Sequence, residues 1–231
     1  MRRDRTVLAF DTAREHCAAI LVSGGEPVGH VIDFMKRGQA ERLFPMLEDF
    51  LGARRISWSD LAAIGVGTGP GTFTGTRIAV SAARGLALAL GIPAIGSSRF
   101  EAVAFLAHES GIAGSGDRIL CAVDLQFNRI ATQAFTAAPI PKGLDEPLVR
   151  DTCAFEAEKG TSATTATSSA GEISLFRELS GDVPGFLTTL GMLTWTKLVE
   201  GGTYPRPLPL YLRPPAATPA MPSAVRSGRP G

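Results

Sequence analysis

The stretch that most constrains this chain is Gly67-Thr68-Gly69-Pro70-Gly71-Thr72-Phe73-Thr74-Gly75. It follows a short apolar run, Leu61–Gly67, that reads as a strand, and it leads into a helix expected over Gly75–Leu90. Thr74 is the expected N-cap, Gly91 the C-terminal stop, and Pro93 bars continuation. A strand passing through such a loop into a helix sets an α/β reading.

The loop is not a nucleotide fingerprint. A Walker loop needs GxxxxGK[ST], and no lysine occurs between Lys36 and Lys142. GxGxxG fails because Thr72 and Thr74 stand where the third glycine would fall, and the acidic residue expected about twenty positions later for a ribose is missing. Two readings remain. The helix N-terminus could hold an anion, with Arg77 nearby. Alternatively Gly65, Gly67, Gly69, Gly71 and Gly75 let a strand turn sharply into a tightly packed helix, which is the preferred reading.

Upstream, Thr6–Asp11, Cys17–Val22 and Val28–Phe34 read as three strands of an antiparallel meander. Ala40, Leu43, Phe44, Leu47, Phe50 and Leu51 recur at helical spacing, and Gly52 stops that helix. Pro93–Ser97 and Arg99–His108 add a strand and a helix, giving the order β-β-β-α-β-α-β-α. Arg118–Asp124 and Arg129–Phe135 read as two strands around a turn at Phe127-Asn128, and Pro184–Val199 as a closing helix. Residues 160–171 look loop-like. The division expected is 1–105 for a first subdomain, 106–183 for a smaller second one, 184–213 for a closing helix and segment, and 214–231 for a disordered Pro-rich tail.

Several chemistries lack their residues. His16, His30 and His108 are scattered without HExxH or HxxxH spacing, so no metal site is expected, and no GxSxG elbow occurs. Asp124 ends an apolar strand as a catalytic carboxylate could, but a turn cap is the preferred reading. Cys17, Cys121 and Cys153 show no CxxC pattern and read as reduced thiols. A net charge of +1 argues against an autonomous nucleic-acid or membrane binder. The apolar run Val7–Phe10 is too short for a signal peptide, and the run Leu86–Ile95 is too short and too broken to span a membrane. The expectation is a cytoplasmic protein.

The helix after the loop carries only Arg77 and Arg84 as charges, with apolar or small residues nearly all round. A helix of that kind must be buried on all sides, so one face needs a second helix or another subunit.

Together these residues resemble the bacterial TsaB (YeaZ) family. The resemblance rests on Asp11-Thr12, on Gln39-Ala40-Glu41-Arg42-Leu43-Phe44-Pro45 and on Gly67–Arg77, with Gly85-Leu86-Ala87 and Pro209-Leu210-Tyr211-Leu212-Arg213 in support. It is dense over Thr6–Ser98 and thin from there to Val199. Gln39 replaces a histidine common in relatives, and residues 124–129 replace a more usual Asp-x-Arg-x-Gly-Glu. The resemblance implies an α/β fold of the actin/Hsp70/sugar-kinase-like (ASKHA) type with two subdomains. It also implies a non-catalytic subunit of the complex that forms N6-threonylcarbamoyladenosine in tRNA. Such a subunit docks on the catalytic TsaD through the helices 40–51 and 75–90, supports the ATPase TsaE, can self-associate and meets tRNA only through the complex. The interface expected on these helices comprises Leu43, Leu47, Phe73, Arg77, Ile78, Ala79, Val80, Ala82, Ala83 and Leu86. Asp11 and Thr12 match the phosphate-loop position of the fold and are read as a remnant, with no cofactor and no catalytic residue expected. The competing reading is a stand-alone glycoprotease-like metallopeptidase or an actin-fold kinase, for which the HxxxH pair and a second phosphate loop are missing from the sequence.

Overall fold

A computed structural model describes residues 5–125, 127–159, 173–177 and 182–212. The expected Pro-rich tail, Arg213 and the loop-like segment 160–171 lie outside the described residues. The meander appears as β1 (Thr6–Asp11), β2 (His16–Ser23) and β3 (Glu26–Phe34), and it is followed by α1 (Gln39–Gly52), β4 (Leu61–Gly67), α2 (Phe73–Leu90), β5 (Ala94–Ser97) and α3 (Arg99–Glu109). The order read from the sequence is therefore the order in the structure. β1 pairs antiparallel with β2 and parallel with β4, giving a sheet ordered β3-β2-β1-β4-β5.

Alternation explains why helices cover both faces of that sheet. Leu8, Phe10, Cys17, Ala19 and Leu21 point to one side and pack with Leu43, Leu47 and Phe50 of α1 and with Ala79, Val80 and Ala83 of α2. Val7, Ala9, Ala18, Ile20 and Val22 point to the other and pack with Phe186, Leu187, Leu190 and Trp195 of the closing helix. Successive residues of one strand thus serve two cores, as a period of two requires.

The second sheet contains β6 (Arg118–Leu125), β7 (Arg129–Thr136), β8 (Lys142–Gly143), β9 (Leu148–Asp151) and β10 (Ile173–Arg177). Its order is β10-β6-β7-β8, and β9 also pairs with β7. Phe127 (φ 61°) and Asn128 (φ 54°) both take left-handed backbone at the β6–β7 turn, where the sequence places it. Ile119, Cys121 and Val123 face α3, while Ala122 and Ile130 face Phe155 of α4 (Thr152–Lys159). The last described helix, α5, runs Val183–Glu200.

Two expectations need correction. First, α2 starts two residues earlier than expected. Thr72, not Thr74, is its N-cap, with the Thr72 hydroxyl accepting a bond from the Gly75 amide at 3.2 Å. Gly91 does end the helix, in left-handed conformation. Second, six of the expected interface residues lie in the chain's own core. Leu43, Leu47, Ala79, Val80, Ala82 and Ala83 are all buried against the first sheet. Ile78 and Leu86 are half-buried against that same core, leaving only Phe73 and Arg77 of the expected set exposed. The small residues of α2 serve close packing on the sheet and α1, and the outward face is mixed: Thr74, Arg77, Ser81, Gly85 and Leu88.

Ala83→Glu therefore acts on the fold. An unpaired carboxylate in a fully buried site should lower stability by several kcal/mol. Urea titration followed by circular dichroism checks this, and a variant as stable as the parent contradicts the packing described.

Candidate functional site

Asp11 ends β1 at the centre of the first sheet and is completely buried. Its Oδ1 accepts three hydrogen bonds: from Arg99 Nη2 at 3.0 Å, from His16 Nε2 at 2.9 Å and from the Ala13 amide at 3.1 Å. Arg99 and His16 are themselves almost fully buried. Burial alone pushes a carboxyl upward, but here the Arg99 charge, the His16 bond and the Ala13 amide outweigh it and hold Asp11 at about 2. Its ionised form is the bound form.

Arg99 gathers more than Asp11. Its backbone amide donates to the Gly69 carbonyl at 2.7 Å, and its guanidinium lies 3.9 Å over the Phe186 ring of α5. One side chain thus joins the end of β1, the Gly-rich loop and the closing helix. Nothing in the sequence marks Arg99 or His16 for this role, although Ser98-Arg99-Phe100-Glu101 does carry the capping-box spacing that starts α3.

The Gly-rich loop packs on backbone. The Thr72 amide donates to the Ala13 carbonyl at 2.6 Å, and the Thr12 hydroxyl donates to the Gly75 carbonyl at 2.7 Å. A Cβ at Gly75 would collide with the Thr12 carbonyl, and one at Gly67 with the Asp11 carboxylate. Glycine at those positions permits close approach of chain to chain, which is the packing reading of the motif. The helix N-terminus reading fares differently. The Gly75 amide is taken by Thr72, and Arg77 turns its guanidinium over the Phe73 ring at 3.6 Å while its Nε donates to the Tyr211 hydroxyl at 2.6 Å. Tyr211 belongs to the segment after α5, and its contact with Arg77 spans 134 positions, beyond the reach of sequence patterns.

A cleft of about 660 Å³ opens between the two sheets beside this loop. Phe34, Phe73, Phe127 and Tyr211, each at least half exposed, stand around it. Its charges balance, with Arg14, Arg99 and Arg129 against Glu15, Asp124 and Asp182. Asp124 lies inside the β6–β7 ladder opposite Ile130, and its carbonyl accepts from Arg14 at 3.1 Å across the cleft. The remaining histidines are separate: His30 is exposed, and His108 Nδ1 lies 3.3 Å from the Ala113 carbonyl. Among the described residues no three His, Cys, Asp or Glu side chains cluster as metal ligands would, and no described helix is long and apolar enough to cross a membrane.

The role of Asp11 predicts its mutational signature. Asp11→Ala leaves Arg99 buried without its carboxylate and should destabilise the chain by about 3–5 kcal/mol. Because the folded-state value lies below the usual carboxylate range, the stabilisation is full above pH ~4 and is lost as pH falls through about 2. The stability of Asp11→Asn should therefore depend less on pH over that window in urea titrations. Equal acid dependence in variant and parent would contradict the ion pair.

Known proteins resemble the chain in sequence and in fold. A family model described as "TsaD: tRNA N6-adenosine threonylcarbamoyltransferase" matches residues 29–139. The tRNA threonylcarbamoyladenosine biosynthesis protein TsaB of Escherichia coli is 36% identical over 124 residues, 54% of this chain and 52% of that protein. The protein of the same name from Haemophilus influenzae is 32% identical over 125 residues, 54% of this chain and 51% of that one. The chain thus spans about half the length of the curated relatives it matches. Among solved structures, a Pseudomonas aeruginosa protein described as similar to the peptidase YEAZ superposes with TM-score 0.63 at 25% identity, covering 90% of this chain and 100% of that one. YeaZ from Pseudomonas aeruginosa superposes with TM-score 0.61 at 24% identity over the same shares. The chain thus shares the α/β fold of the YeaZ structures and is similar in sequence to TsaB proteins over about half of its length.

Proposed function

We propose that this chain is an accessory, non-catalytic subunit in the biosynthesis of tRNA threonylcarbamoyladenosine, docking on a catalytic TsaD-type subunit and supporting a TsaE-type ATPase. The observation that carries the accessory role is the engagement of Asp11. Oδ1 of the carboxylate at the phosphate-loop position is held by Arg99, His16 and the Ala13 amide, and the group is shielded from solvent inside the fold. The names of the relatives support the pathway. The docking face in this reading is the exposed part of α1 and α2: Phe44 at 43% exposure, Phe73 at 57%, Leu88 at 86%, and Arg77. Aromatic and Arg side chains of this kind are what interface centres favour. Self-association through the same face is the natural alternative when the partner is absent, and tRNA is met through the complex, in the cytoplasm.

Two measurements test the reading. Depleting the protein should lower threonylcarbamoyladenosine in digested cellular tRNA, and unchanged nucleoside levels would overturn the assignment. In purified components Leu88→Glu should keep the fold, since Leu88 is exposed, yet weaken binding to the catalytic subunit about tenfold or more. Unchanged affinity would remove the end of α2 from the docking face.

A further inference from the structure

Arg77 is exposed yet already fixed. Its guanidinium lies 3.6 Å over the Phe73 ring and 5.4 Å from the Tyr211 ring centroid, with Nε bonded to the Tyr211 hydroxyl at 2.6 Å. The two rings stand 5.4 Å apart at 36°. Tyr211 is fixed in turn, because the neighbouring Leu210 amide donates to the Thr68 carbonyl at 2.8 Å. No carboxylate among the described residues lies within ion-pair distance of Arg77, and α2 carries Arg77 and Arg84 but no acid. With Nε occupied, the two terminal nitrogens remain as a parallel pair of donors. That fork matches a carboxylate in bidentate geometry, and an arginine ordered beforehand loses less freedom on binding.

We infer that Arg77, set by Phe73 and Tyr211, anchors a carboxylate of the protein that docks on α2, so that the segment after α5 is part of the docking surface. This rests on the docking reading above and names the chemistry of the partner: an acidic side chain flanked by apolar ones. The aromatic collar argues for a protein carboxylate over an RNA phosphate, because Phe73 and Tyr211 frame the charge as interface centres do. The balanced charges of the adjacent cleft and the net charge of +1 supply no positive field to hold a phosphate backbone. Tyr211 acts as a positioning residue.

The test is calorimetric titration of the full chain into the purified catalytic subunit at low and physiological salt. Arg77→Glu should weaken binding about a hundredfold, while Arg77→Lys, which keeps charge but loses the fork, and Tyr211→Phe should each weaken it several-fold. All three should keep the parent circular dichroism. The parent's affinity should fall with added salt, and Arg77→Glu should lose that dependence. Parent binding with an unchanged Arg77→Glu constant overturns this inference and leaves docking intact. No binding by the parent overturns the docking reading and this inference with it. An Arg77→Glu variant that binds the catalytic subunit normally but loses affinity for tRNA, or loses self-association in sedimentation, assigns the contact to RNA or to a second copy and also overturns it.

Discussion

The buried pair between Asp11 and Arg99 is the interaction on which the rest of the structure depends. Two charges 3.0 Å apart, both shielded from water, hold together the end of β1, the start of α3 and, through Phe186, the closing helix. Removing one partner of such a pair is far more damaging than replacing both, because the survivor is left charged in a dry site. His16 and the Ala13 amide complete the shell around Oδ1 and favour the ionised carboxylate. The first sheet is consequently fixed at the edge where the Gly-rich loop emerges.

That arrangement gives the loop its purpose. A loop that cradles phosphate keeps its amides turned outward, whereas this one presses its glycines onto Thr12 and Asp11 and bonds Thr72 to the Ala13 carbonyl. The same strand–loop–helix geometry therefore serves packing, and α2 emerges rigidly with Arg77 and Phe73 on its first turns. The interior encloses the acid, and the exposed first turns of α2 carry the cation.

The fold was legible from the sequence wherever short-range pattern carried it. Alternation in β1 and β2, Gly91 after α2 and the paired turn at Phe127-Asn128 each depend on neighbours within a few residues, and the structure reproduces them. β8, β9 and α4 were missed because they are short and weakly patterned. The site was harder. Asp11 was visible as a carboxylate ending a strand, but its partner lies 88 positions away, and Arg77 meets Tyr211 across 134. Small apolar residues on α2 look the same in the sequence whether they form an interface or a core, because composition cannot distinguish a face that covers its own sheet from one that waits for a partner. Ala79 and Ala83 cover the sheet.

The bonds from Arg99, His16 and the Ala13 amide assign the Asp11 carboxylate a structural role. The most direct measurement uses Asp11→Asn at a temperature where it remains folded, mixed with the catalytic subunit, the ATPase, threonylcarbamoyl-adenylate and unmodified tRNA. Modified nucleoside should form at the rate supported by the parent chain. A folded Asp11→Asn variant that binds the catalytic subunit with parental affinity yet supports no modification would contradict the claim.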